Sequence, residues 1–270
     1  MPFERYRELN SLSQSDLSLF LKSPLHFKLK DKIRDKKKSQ AMDFGSLYHL
    51  AVLEPKKFVK SYALEPKFHP TGEPINKRKK DHREFLDAWK KDQGDKIFVD
   101  EDDVTKINEM ANAILEHETA SSLLKHGLPE HVSEFTIESD GLIANGKARA
   151  DYIIEHETFG RTVIDVKTSR DASREGFEKS VINYNYDLQS FWYKEAFDAD
   201  TFIFIVQATE YPYAIGVYNA TDAVLSRGED IARHALKKYF ECSKTGVFHG
   251  YTNGIEPLSL PRWVNDVDNE

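Results

Sequence analysis

The 270-residue chain has a single cysteine, Cys242. One thiol excludes an internal disulfide framework, and it excludes a four-cysteine iron–sulfur centre as well. Cys242 therefore reads as a structural or a surface thiol. Long apolar runs are also missing: none approaches the ~18–20 residues that a bilayer crossing needs. The N-terminus, MPFERYRELN, has neither an apolar h-region nor a cleavage site. These absences lead us to expect a soluble, intracellular protein. The chain has no internal repeat, low-complexity tract, P-loop, GxGxxG or H-E-x-x-H. An apolar content of 40%, with 12% aromatics, is enough for a sizeable core, and we expect one unit over the whole chain, with its core at about residues 11–263 and a polar tail.

An excess of positive charge is lacking too. The net charge is −7, yet Lys28 to Lys38 holds seven basic and two acidic residues, and Lys77 to Arg83 holds five basic and one acidic. Each stretch can be a solvated loop or a local basic patch. In a protein that is acidic elsewhere, a polyanion would be drawn only to the patches.

What is present centres on residues 146–168, GKARADYIIEHETFGRTVIDVKT, which read as a β-hairpin. With the strand period of two, Lys147, Arg149, Asp151 and Ile153 share one face, and Ala148, Ala150, Tyr152 and Ile154 the other. In the second arm Val163, Asp165 and Lys167 share a face. Charges in an apolar strand are costly unless they are paired or bind a metal. Asp165 and Lys167 can form a salt bridge at a sheet edge, or the two aspartates can hold a cation.

The flanking elements are legible as well. Ser13 or Ser15 can cap a helix in LSQSDLSLFLKSP, and its first amides and hydroxyls, Ser15 among them, can hold a phosphate. AMDFGSLYHLAVLEP predicts a helix ended by Pro55, with Phe44, Leu47, Tyr48 and Ala51 as its apolar stripe. Gly45, costly in a helix interior, suggests a close approach to the backbone there. Residues 65–83 read as a long loop, and 102–119 as a packing helix. HVSEFTIES predicts a strand in which Glu134 is a third acid near the hairpin or merely exposed. NYNYDLQSFWYKEAF predicts one helix placing Gln189 and Tyr193 a turn apart on one face. TFIFIVQ and YAIGVYN add strands, and residues 222–240 a last amphipathic helix.

The order Asp151, then Ile164-Asp165-Val166-Lys167-Thr168, resembles the PD-(D/E)xK nuclease core, a mixed β-sheet flanked by helices. Adding Gly45 to His49, Leu53-Glu54-Pro55, Gln189 with Tyr193, and Leu258 to Trp263, the chain resembles the C-terminal nuclease domain of the exonuclease VIII (RecE) family. Ala150 stands where that family often has proline, and the long N-terminal extension of its best-known member is lacking. The resemblance implies a phage- or prophage-type, cytoplasmic exonuclease that digests linear double-stranded DNA from the 5′ end. It implies a ring-shaped homo-oligomer, of four subunits or else three, that passes 3′ tails to a single-strand annealing recombinase of the RecT type. The implied cofactor is Mg²⁺, two ions per site, with Mn²⁺ as substitute. Oxygen ligands at ~2.0–2.1 Å would come from Asp151, Asp165 and the main-chain carbonyl of Val166, with His49 completing the site. Lys167 would serve the attacking water, and Gln189 and Tyr193 would brace the catalytic strand or a phosphate. Arg34, Arg78, Arg149 and Ser15 are candidate phosphate contacts. A nuclease that cuts internally, or a DNA-binding module without turnover, stays open beside this expectation.

Overall fold

A computed structural model describes residues 3–34 and 40–260. Its N-terminal half is mostly helical: α1 (Phe3–Glu8), α2 (Gln14–Lys22), α3 (Pro24–Lys28), α4 (Lys30–Arg34), α5 (Gln40–Leu53) and α6 (Pro55–Ser61) lead to a short strand, β1 (Tyr62–Leu64). After α7 (Lys80–Gln93), β2 (Ile97–Val99) pairs in parallel with β1, and α8 (Glu101–Glu116) and α9 (Glu118–Leu123) follow. The main sheet is built from β3 (Leu128–Ser139), β4 (Leu142–His156), β5 (Gly160–Ser169), β6 (Thr201–Ala208) and β7 (Ile215–Asn219), in that spatial order. Helices α10 (Arg174–Tyr184) and α11 (Tyr186–Phe197) cross between β5 and β6, and α12 (Asp222–Thr245) closes the fold. Among the described residues no helix is long and apolar enough to cross a membrane.

The strand runs TVIDV and TFIFIV explain the centre of the sheet. Of its five strands, β5 and β6 pair in parallel, and their residues are buried on both sides, as a crossover covered by helices requires. One core packs α10, α11 and α12 against Ala148, Ala150, Val163, Phe202 and Phe204. The other packs α5 and α8 against Tyr152, Ile154, Ile164, Val166, Ile203 and Ile205. Fully buried side chains such as Trp192 and Ile164 each contribute about 1.5–3 kcal/mol by leaving water. Cys242 is a buried thiol on α12.

Two sequence expectations need correction. The strict alternation expected from Lys147 to Ile154 breaks at Asp151. Ala148 and Ala150 face the first core, whereas Tyr152 and Ile154 face the second and Ile153 the first. The single helix expected across Asn183–Phe197 is two, because Asn185 is left-handed (φ 55°, ψ 45°) and separates α10 from α11. Asparagine tolerates that conformation better than most residues.

Candidate active site

The site forms where β4 and β5 part. Their ladder ends at the pair Tyr152–Ile164, while β5 continues along β6 as far as Ser169–Ala208. The amide of Val166 loses its ladder partner at this point and donates instead to Asp151 Oδ2 at 2.9 Å. A buried N–H must find an acceptor somewhere, so the carboxylate substitutes for the missing strand and is fixed beside Asp165. The edge that β5 leaves on β4 is taken by the N-terminal chain. Leu12 N donates to Asn145 O at 2.8 Å and Lys147 N to Leu12 O at 2.7 Å. This short pairing delivers Ser13 and the start of α2 to the gap.

Asp165 is almost wholly buried. Gln189 Nε2, from α11, donates to its Oδ1 at 2.6 Å, and Lys167 Nζ lies 2.6 Å from its Oδ2. That second oxygen is nonetheless left without a hydrogen bond of good geometry. Burial, reinforced by the Asp151 charge and only partly offset by Lys167, pushes the Asp165 carboxyl up to about 6. Asp151 goes the other way: burial opposes its charge, but His49, Lys167 and the Val166 amide together hold it below the usual carboxylate value. Two neighbouring carboxyls driven apart in this way mark a functional site more often than a structural one. Lys167 is disfavoured by burial, yet Asp165 and Asp151 outweigh that and keep its ammonium charged. From α5, His49 Nδ1 sits 3.5 Å from Asp151 Oδ2; desolvation lowers its basicity, and Asp151 more than restores it.

A cavity of about 570 Å³ opens in front of this cluster, lined among others by Ser13, Ser15, Gly45, His49, Glu130, Arg149, Asp151 and Tyr193. The structure thus brings together Asp151, Asp165, Val166, Lys167, His49, Gln189 and Tyr193, and it places Ser15 and Arg149 in the same hollow. Ser13 is the residue that caps α2, in a capping box with Asp16, which leaves Ser15 at the first turn, 3.0 Å from Ser13 Oγ. A Cβ added at Gly45 would meet nothing within 4 Å, so the close approach expected there is not found, and Gly45 instead lines the cavity.

Other expected residues are not brought in. Glu134 pairs in register with Lys147, is exposed, and accepts from Ser11 Oγ at 3.3 Å. The third acid at the cavity is Glu130, four residues earlier, whose carboxylate is 2.5 Å from Arg149. Glu130 is left-handed (φ 54°) and falls, like Asp151 on β4, in the gap between the register pairs Pro129–Tyr152 and His131–Ala150, so the alternation that would have located it is broken there. Burial raises its carboxyl pKa and the Arg149 charge works against that. Arg78 is exposed and lies off the cavity. The side chain of Arg34, and the Pro261–Trp263 part of the C-terminal motif, lie outside the described residues. The sequence reading also overlooked Tyr186, whose ring centroid is 4.8 Å from Lys167 Nζ; it stands three residues before Gln189, on the same helix face.

No three His, Cys, Asp or Glu side chains among the described residues gather into a ready-made metal cage. That arrangement still suits a hard divalent ion, which is commonly held by one or two carboxylates while keeping several waters. The buried Oδ2 of Asp165, charge-paired with Lys167 but without a well-aligned hydrogen bond, supplies such a donor pair beside Asp151.

Comparison with known proteins bears on the family and the fold. The family described as PDDEXK-like domain of unknown function (DUF3799) matches residues 13–260. A crystal structure described as a "Putative exonuclease" from Eubacterium rectale is similar over 100% of this chain and 98% of its own, with a TM-score of 0.61 and 16% identity. That likeness is one of fold. The crystal structure of SSO0001 is more distant (TM-score 0.38, 15% identity, 85% and 80% covered) and bears on neither fold nor site. No curated protein matches the chain. With a helix-flanked mixed sheet, an Asp-x-Lys strand and a family match over nearly its whole length, the chain belongs to the PDDEXK-like DUF3799 family and has the PD-(D/E)xK nuclease fold.

Proposed function

We propose that the protein is a divalent-metal-dependent nuclease that hydrolyses DNA phosphodiesters, and more narrowly a 5′-to-3′ exonuclease acting on linear double-stranded DNA. The observation that carries the reading is the convergence of Asp151, Asp165 and Lys167 where β4 and β5 part, with Lys167 Nζ 2.6 Å from Asp165 Oδ2. A salt bridge kept only for stability has no reason to be joined by a second carboxylate, a histidine and an open cavity.

Asp151, Asp165 and the Val166 carbonyl would hold Mg²⁺, with Mn²⁺ as substitute and room in the proposal for two ions, and His49 at the margin of the site. Bound there, the metal would supply charge neutralisation at the phosphodiester and acidify a water. Lys167 orients the attacking water and offers its ammonium to the charge that develops on the phosphoryl oxygens. Gln189 holds Asp165 in place from behind, and Tyr193, half-buried and kept neutral by its surroundings, closes the wall beside it. Arg149 and the first turn of α2, with Ser15, face the same cavity and would take a neighbouring backbone phosphate.

The narrower reading, with a RecE-like ring of four or three subunits and 3′ tails passed to a RecT-type annealing recombinase, rests on the order of motifs along the chain. Its test compares linear duplex with covalently closed circular duplex in Mg²⁺. Nucleotide release from linear DNA alone supports an exonuclease, whereas nicking of the circle supports an internally cutting enzyme of the same fold.

A further inference from the structure

Tyr184 and Tyr186 stand two residues apart, and in one continuous helix their side chains would point about 200° from each other. The left-handed Asn185 between them prevents this: α10 stops, α11 starts, and the two rings come to 5.6 Å between centroids, at an angle of 35°. They do different things. The Tyr186 ring is half-buried, braced by Phe177 at 5.8 Å and Phe204 at 6.1 Å, and stands 4.8 Å from the Lys167 ammonium. Tyr184, by contrast, is 63% exposed, next to Ile182 at 50%. An aromatic path thus runs from the Lys167 ammonium to an uncovered ring at the surface.

We propose that Tyr184 is a stacking platform for an unpaired nucleobase, that of the nucleotide beside the phosphate being cut. The inference rests on the nuclease reading of the site. The chemistry follows from position. A backbone phosphate at Lys167 carries a base with it, and a base next to a cut at a duplex end must be unstacked on one side. The uncovered apolar ring one aromatic step from the lysine offers that base a face. Stacking is indifferent to base identity, because every base has a π-face, as suits an enzyme that degrades DNA of any sequence. The left-handed residue has a purpose on this account: it sacrifices helix continuity to place one ring under the ammonium and its neighbour at the surface.

The test measures affinity, by anisotropy with Ca²⁺ in place of Mg²⁺, for a labelled linear duplex and for the same duplex with an abasic site at the nucleotide beside the first scissile phosphate. Wild type, Tyr184→Ala and Tyr184→Phe are compared. The expected result is that wild type and Tyr184→Phe bind the intact DNA about tenfold more tightly than the abasic one, within the range that stacking one base supplies. Tyr184→Ala binds both like the abasic case, a full coupling between ring and base. A preference that survives in Tyr184→Ala overturns the proposal, as does a wild type without preference. Equal loss on both DNAs, or a neutral variant, would also overturn it, the latter pointing to a protein partner for the rim. Turnover in Mg²⁺ is scored separately: wild type that binds with the base preference but never cuts contradicts the nuclease reading and not the platform.

Discussion

Gln189 Nε2 donates to Asp165 Oδ1 at 2.6 Å, a bond that ties the first turns of α11 to the middle of β5. The carboxylate is buried and has few ways to turn, and this bond decides which oxygen faces Lys167. Gln189→Ala should lower kcat by about 10–100-fold, the range for partners that orient a metal ligand, with little change in KM for DNA. Steady-state kinetics on linear duplex check this. An unchanged kcat would mean that the strand alone orients Asp165.

The raised carboxyl of Asp165 would make metal binding at the proposed centre pH-dependent. With its pKa pushed up to about 6 from 3.8, the folded protein holds this proton more tightly than the unfolded chain. The associated stability is complete below the unfolded value and is lost as pH rises through about 6, on the order of 3 kcal/mol in the metal-free protein. A divalent ion must displace the same proton. Addition of Mg²⁺ should therefore raise Tm clearly at pH 8 and hardly at pH 5, and Asp165→Asn should abolish the shift at both. Thermal melts with and without Mg²⁺ decide the matter, and a shift equal at the two pH values would remove Asp165 as a ligand.

Arg149 lies in the cavity, 2.5 Å from the Glu130 carboxylate, and can exchange that partner for a phosphate. Arg149→Ala should weaken DNA binding and reduce the slope of log K against log[salt] by about one. A salt titration of affinity reads this directly. An unchanged slope would confine Arg149 to the pair with Glu130.

Stability depends on a close approach elsewhere. Gly228 of α12 packs against the start of α11, where an added Cβ would collide with the main-chain carbonyl of Asp187 and with Phe191. The neighbouring Arg227 pairs with the buried Asp187 across the same contact. Gly228→Ala should cost about 3 kcal/mol, as overpacking that forces backbone apart does. Urea unfolding measures it, and a neutral variant would show that the two helices separate easily.

The parts of the site written in short-range order were readable before the fold. Asp165 and Lys167 two residues apart in a strand, and Gln189 and Tyr193 one turn apart in a helix, fall on common faces by periodicity alone, and the structure keeps both relations. A serine cap for α2, at Ser13 or Ser15, and the end of α5 before Pro55 follow equally from local chemistry. What was not readable depends on where strands stop pairing. The break of alternation at Asp151, and with it the place of Glu130 in the cavity and of Glu134 outside it, arises because β5 leaves β4 there and Leu12 takes the freed edge. No local pattern encodes a partner 134 residues away. The division at Asn185 was hidden for a related reason, since the sequence on both sides favours helix and only packing selects the left-handed turn.

The central claim is that Asp151, Asp165 and Lys167 form a phosphodiester-hydrolysing centre. The direct measurement is single-turnover cleavage of a 5′-labelled linear duplex by wild type and by Lys167→Ala, each with Mg²⁺ and with EDTA, alongside DNA affinity for both proteins. The account predicts release of labelled nucleotide only by wild type with Mg²⁺, with Lys167→Ala binding DNA nearly as well and cutting none of it. Cleavage by Lys167→Ala at the wild-type rate, or cleavage by wild type in EDTA, would contradict it.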